Sequence, residues 1–359
     1  MNILYRSLVS LMLCTALYAD IVPIPGTHLV APVFEKSDVV CSCLVLSADV
    51  TSEENLNPPP KQVVLRHMRA VVEVKDSFKA NNVQPGDRVA VQYDVEEPST
   101  RGSLPSIVKS ETALLFLRRT ESGNYVFADP YLGATHFNAL PPSPDGVGLT
   151  KLQSALVKVI RQNDRNDQIR ALRLLEGLNA FRPDTVSALN SLTNSPDPEI
   201  ALSSIAVLLK TKTPESVEIL RRYLETYSGD ARPVALLSIG SELGQVRDAG
   251  ALSAVEALSG SKYLSIKFGA IDALRTMRSP SSAPVLIQRL DDSNNDIRYF
   301  ALITLAEIFG KSGDYAPLMR QFHENPEKHV ALWKDWWSQT GSRLPPRPPT
   351  RIPTGRSQN

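Results

Sequence analysis

The sequence predicts a multidomain α+β chain: a small N-terminal β-barrel followed by an all-α solenoid. Three observations carry this. A helix-pair pattern recurs between residues 195 and 325. Short β-branched segments, divided by turn residues, occupy the region before 140. A Pro/Gly-rich stretch at 141–149 separates the two. The expected boundaries are a signal peptide at 1–19, a barrel-like domain at 20–140 and a linker at 141–150. A solenoid with terminal capping helices follows at 151–340, and a Pro/Arg-rich tail at 341–359 should be disordered.

At the N-terminus, Arg6 precedes an apolar run at 8–17, and the small residue Ala19 precedes Asp20. This is the pattern of a secretory signal peptide, and the run is short for a bilayer span. The mature protein is expected to be exported, periplasmic or extracellular, with no stable membrane insertion after cleavage; an uncleaved anchor is the alternative. Leu13 before Cys14 departs from the lipoprotein pattern.

Residues 21–35 read as extended and punctuated by proline. Strands are expected at 39–46, within 63–74, and at 89–93, 113–117 and 125–127. Residues 52–61 form a loop, and turns fall at 84–87 and 121–124. Five or six short strands over about a hundred residues suggest a closed or nearly closed barrel. Val39 to Val45, Val72 to Lys79, Pro85 to Asp87 and Leu114 to Leu117 together resemble a barrel domain of exported bacterial proteins. They are distantly similar to the OB-like barrel of netrin and tissue-inhibitor modules. Inhibition in that group depends on a cysteine at the mature N-terminus. Cys41 and Cys43 sit some twenty residues further in, so that activity is not carried over.

Cys41 and Cys43, at i and i+2 of a strand, point to one face. Three states are open to them: buried thiols packed as small hydrophobes, a strained intrachain disulfide, or an intermolecular bridge. The net charge is +1, but residues 20–150 hold eleven basic against sixteen acidic residues. Neither this region nor the tail, with its four arginines, has the dense basic stripe and aromatics that nucleic acid requires.

The repeat begins at Ile200, Ala231, Ile266 and Ile297, a period of 31, 35 and 31 residues. Four residues on stands a small side chain (Ser204, Ala235, Ala270, Ala301). Four further on stands Leu208, Ile239, Leu274 or Leu305. This spacing lays a single apolar stripe along a helix. A second apolar helix follows in each unit, at 217–224, 251–258, 285–290 and 318–322. Asp197-Pro198 and Thr213-Pro214 are helix-start signals, and Pro280 and Pro284 mark another break. The pattern resembles short HEAT-like repeats over roughly 165–325. It is clearest from Asn295 to Leu305, next best at 263–274 and loose at 167–171, and Pro233 departs from it. The resemblance implies an armadillo-like α-solenoid with protein partners and leaves their identity open. Leu152, Ala155, Leu156, Val159 and Ile160 form a capping stripe before the array. Leu332, Trp333, Trp336 and Trp337 form either a second cap or an exposed aromatic anchor.

No nucleophile elbow, phosphate loop or dinucleotide fingerprint occurs, and the spacing of His323 and His329 does not place two ligands on one helix face. No catalytic, cofactor-binding or metal residue is therefore named, and no cofactor is expected. The candidate binding residues are Arg222, Glu256, Gln288 and Arg320, equivalent positions of successive second helices expected to point away from the core. The expected function is a non-enzymatic protein-binding scaffold of the cell envelope. The alternatives are an accessory or inhibitor module acting through the barrel and its loop at 99–106, or a chromophore-lyase-like activity, known among some relatives of the short repeats.

The register makes a first prediction. Leu274→Ala should lower stability by about 2–5 kcal/mol as a cavity mutation. A urea midpoint equal to that of the parent chain would place Leu274 outside the core and break the alignment.

Overall fold

A computed structural model describes residues 30–56, 63–80, 82–97, 107–129, 132–143, 146–227 and 233–340. The expected signal peptide at 1–19, the expected loop at 99–106 and the expected tail at 341–359 lie outside the described residues. The chain divides into two units, residues 1–188 and 189–359.

The first described element of the first unit is a short helix, α1 (Val30–Lys36), where the sequence suggested extended chain. Val30, Val33 and Phe34 are buried at i, i+3 and i+4, a helical stripe that the prolines masked. Pro32 falls in the first turn, where its missing N–H costs nothing. Lys79 Nζ donates to the carbonyls of Phe34 and Glu35 at 3.0 and 2.8 Å, satisfying the helix end.

Six strands follow: β1 (Val39–Asn55), β2 (Val64–Ala80), β3 (Arg88–Glu97), β4 (Thr112–Arg119), β5 (Tyr125–Phe127) and β6 (Ala134–Phe137). Their order is β1-β2-β3-β5-β4, and β4 pairs back onto β1 to close a five-stranded OB-like barrel. The β3–β5 pairing is parallel, and β6 adds to β4 from outside the ring. Val39, Cys41, Cys43, Val45, Val72, Val74, Val91, Leu115 and Leu117 fill the interior. The β1–β2 hairpin is longer than its sequence suggested. The expected loop at 52–61 is partly strand, because β1 continues to Asn55. The register slips four times, leaving Phe78 and Lys75 as extra residues on β2 and Leu46 and Thr51 as extra residues on β1. Such bulges bend and twist a hairpin, as barrel closure demands.

Helices α2 (Gly148–Ile160) and α3 (Arg165–Glu176) belong to the barrel's unit, which runs through Ala188. The expected division at 141–150 therefore does not separate compact units. Ser143 N–H donates to Asp76 Oδ2 at 3.0 Å and Lys151 Nζ reaches Asp76 Oδ1 at 2.6 Å, so a residue within this stretch and one just after it are fixed to β2. The next helix, α4 (Pro183–Leu192), spans the division.

The second unit is helical. Its first-helix row is α5 (Pro198–Leu209), α7 (Pro233–Leu243), α9 (Leu264–Met277) and α11 (Asn295–Phe309). Its second-helix row is α6 (Pro214–Thr226), α8 (Leu252–Leu258) and α10 (Ala283–Arg289), then α12 (Met319–Glu324). Each first helix packs on the next of its row. Ile239, Leu274 and Leu305 are fully buried in one continuous core, as the register requires. Asp197 and Asn294 cap their helices, accepting N–H groups from the first turn, and Thr213 does the same. Leu318, expected to begin an apolar helix, instead stands outside α12 as an exposed cap residue.

The array ends in α13 (Pro326–Thr340). Trp333 is fully buried and its indole N–H donates to the Tyr315 carbonyl at 2.9 Å. Trp336 and Trp337 pack partly buried against the same core. The tryptophan stripe is thus a cap on the last helix pair.

Two features of the array were not foreseen. Gly240 and Gly269 bring the backbones of α7 and α9 together: a Cβ on Gly269 would lie 2.2 Å from the Gly240 carbonyl oxygen. Ion pairs also bridge residues about one repeat apart. Lys212 and Lys210 meet Glu242, Arg298 Nη2 meets Glu327 at 2.7 Å, and Lys267 Nζ meets Asp292 Oδ2 at 2.6 Å. The Asp292 side chain is only 4% exposed. Burial pushes its carboxyl up, but the Lys267 ammonium and the Asn294 N–H outweigh burial and leave it below the usual carboxylate range.

Gly269→Ala should destabilise the chain by about 1–3 kcal/mol despite the better helix propensity of alanine, because rigid backbone stands in the way. Equal or higher stability in urea would refute the close approach. Lys267→Met should cost about 1–3 kcal/mol at pH 7 by stranding Asp292. A carboxyl held lower in the folded than in the unfolded chain contributes stability above its unfolded value, about 3.9, and loses it as pH falls through the folded value. The gap between parent and variant should therefore close in acid. A gap unchanged from pH 7 to strong acid would show that charge is not its source.

Candidate functional site

The four residues expected to form a polar row fare differently. Arg222 on α6 and Arg320 on α12 are exposed, with side chains 65% and 90% accessible, and Gln288 on α10 is exposed as well. Glu256 on α8 is buried, which corrects the expected row. The reason is local. α8 is seven residues long, and Ala254, Val255, Glu256 and Leu258 are all buried, so most of its circumference is covered. Its aligned sequence shows a single stripe and gives no sign of this.

The two arginines do little for folding. Arg222 lies 3.6 Å from Glu218 and Arg320 lies 3.5 Å from Glu324, both i, i+4 pairs in water. Such pairs contribute at most about 1 kcal/mol. Arg221 takes the structural role on α6, with Glu218 and Glu225 as partners.

A second candidate lies in the first unit. A cavity of about 210 Å³ is lined by Ser110, Glu111, Thr112, His136, Asn138 and Arg170, with Phe137 beside them. The turn before β4 places Ser110 at φ +69°, and β6 lies in register with β4 so that His136 faces Ala113. His136 Nδ1 lies 2.7 Å from Glu111 Oε2. Arg170, from the first turns of α3, donates from Nη1 to Asp167 Oδ1 at 3.1 Å. Asp167 is 1% exposed and also accepts the N–H groups of Asn138 and Ala139 at 2.9 and 3.2 Å. Asp164 caps α3. The Asp167 N–H and then the Asn138 amide hold its carboxyl below the usual range. The arrangement offers hydrogen-bond donors and acceptors to a small polar group. Sequence reading took 167–171 for a loose repeat and missed the cavity; the available signal was the acid–arginine spacing at the start of α3.

Among the described residues, no group of three or more His, Cys, Asp or Glu is placed to hold a metal ion. No described helix is long and apolar enough to cross a membrane.

No protein-family profile and no curated protein sequence matches this chain. Two engineered proteins solved by the Northeast Structural Genomics Consortium share some structure with it. One is 20% identical, aligning 44% of this chain with 79% of that one at a TM-score of 0.30. The other is 18% identical, aligning 53% of this chain with 54% of that one, also at 0.30. Likenesses this distant carry no functional information.

Proposed function

We propose that this chain is a non-enzymatic binding protein of the cell envelope that engages protein partners through the second-helix row of its helical array. The supporting observation is the exposure of Arg222 and Arg320, charges at equivalent positions of different helix pairs that the fold barely uses. Exposed arginines are enriched where protein surfaces meet, and stacked helix pairs present long binding faces. Gln288 adds a neutral polar contact between them in sequence. The partner face would accordingly carry acidic groups. A second reading, an accessory module acting through the barrel, is favoured by the polar cavity around His136 and Arg170.

Affinity capture from envelope extracts separates the two. The full chain is compared with an Arg222→Glu/Arg320→Glu variant and with His136→Ala. Stability should be unchanged in the arginine variant, and a partner retained by the parent should be lost or weakened at least about tenfold, since two charge reversals each cost on the order of 1 kcal/mol or more. A partner kept by the arginine variant and lost by His136→Ala would transfer the function to the barrel.

A further inference from the structure

We propose that Cys41 and Cys43 are a covalent cross-link site: an intrachain disulfide formed by thiol–disulfide exchange before the barrel closes, and shielded once it has. The two sulfurs lie 2.9 Å apart, and both residues are 0% exposed. They face the barrel interior, and each is the other's sulfur neighbour within an apolar cluster of Val39, Val45, Val72, Val74 and Leu115.

Spacing alone disfavours such a link. Residues i and i+2 of a regular strand have Cα atoms about 6.6 Å apart, near the outer end of the disulfide range of about 4.4–6.8 Å. In this hairpin the two sulfurs nevertheless approach to 2.9 Å. Register slips fall between Val40 and Cys41 and again between Ser42 and Cys43, with the extra residues on β2. Two bulges so close together coil the hairpin sharply. Side chains on the inner, concave side of a curved strand converge, and Cys41 and Cys43 occupy that side.

The same burial fixes the order of events. The side chains clustered with the pair include Val39, Val45, Val72, Val74 and Leu115, apolar neighbours that do not favour a thiolate. The hydrogen bond from Cys41 and then burial push the Cys43 thiol up, so the folded pair reacts slowly. Pairing of β1 with β4 covers both cysteines, opposite Leu115 and Ala113. Exchange therefore belongs to the chain before that pairing forms.

The oxidant is a disulfide, either a small molecule or an exchange protein. One cysteine thiolate attacks an oxidant sulfur, forming a mixed disulfide and expelling one oxidant thiolate. The other cysteine thiolate attacks the cysteine sulfur of that mixed disulfide, forming the Cys41–Cys43 bond and expelling the second. Two protons pass from the cysteines to the departing thiolates. The cysteines are oxidised by two electrons and the oxidant is reduced by two.

The test uses the full chain, reduced and unfolded in guanidinium, then refolded with glutathione disulfide. The product is acid-quenched, unfolded, alkylated and cut with trypsin. Cleavage after Lys36 and Lys61 puts both cysteines on the peptide 37–61 and leaves Cys14 on another. The expected peptide is unalkylated and two hydrogens lighter than the dithiol, and it takes two alkyl groups only after reduction. Folded, reduced protein given the same oxidant should form the link at least about tenfold more slowly. Two alkylated thiols after oxidative refolding, glutathione retained on either cysteine, or a bridge to Cys14 or to a second chain would overturn the proposal. Equal rates for folded and unfolded protein would overturn its order of events.

Discussion

The first unit depends on one buried carboxylate. Asp76 is 6% exposed and receives three donors: Lys151 Nζ, the Ser143 N–H and the Ser77 N–H. A buried charge is costly unless it is paired and hydrogen-bonded, so the three donors have to arrive together. One comes from β2 itself, one from the segment after β6 and one from α2. The Lys151 ammonium also donates to the Ser77 carbonyl and lies over the Phe78 ring. Asp167 repeats the device further along, binding the N–H groups after β6 to the start of α3. The two carboxylates fix α2 and α3 on the barrel, and the position of Arg170 in the polar cavity follows from the second. A Pro/Gly-rich stretch between them is compatible with this, because proline stiffens a connection whose flanks are already fixed.

The helical unit solves a different problem with the same economy. Nearest-neighbour stacking requires each helix pair to recognise the next one. Apolar stripes make neighbours stick but permit sliding along the stripe. The ion pairs bridging residues about one repeat apart, and the backbone approach of Gly240 and Gly269, each have a single satisfied position. They set register where hydrophobic burial sets affinity. The largely buried Lys267–Asp292 pair adds less net stability than its Coulomb energy suggests, so register is the better account of it.

What could be read from the sequence follows the range of the interactions. The strands at 113–117 and 125–127, the turn at 84–87 and the stripes ending at Ile239, Leu274 and Leu305 are local patterns of period 2 or 3.6, and they stand where their spacing placed them. Residues 30–36 read as extended because the three prolines between 21 and 35 outweigh a three-residue apolar stripe, a local signal too short to win. β6 has three half-buried residues and one buried one, Phe137, and takes its identity from pairing with β4. The cavity around His136 left only a partial trace in the sequence, the acid–arginine spacing at the start of α3. Its parts come from 110–112, 136–138 and 170, and only tertiary structure assembles them. Glu256 was expected to point outward like Arg222, but it is buried, and the neighbours that cover it are not encoded in its own repeat.

If the second-helix row engages a partner as proposed, the burial of Glu256 bears on what it can bind. A row of like residues would offer an extended, uniform polar face. The actual row has cationic positions at Arg222 and Arg320, a neutral amide at Gln288, and no accessible charge at the α8 position. A partner matched to this face would need acidic groups separated by an uncharged stretch, because a carboxylate aimed at the α8 or α10 position would be desolvated without a cation to meet it. That requirement works against indiscriminate capture of acidic proteins, since most evenly charged acidic surfaces would leave charges unpaired in the middle of the contact. On the proposed reading, the interruption of the row would favour partners with separated acidic groups, and the α8 and α10 positions would be where they are discriminated.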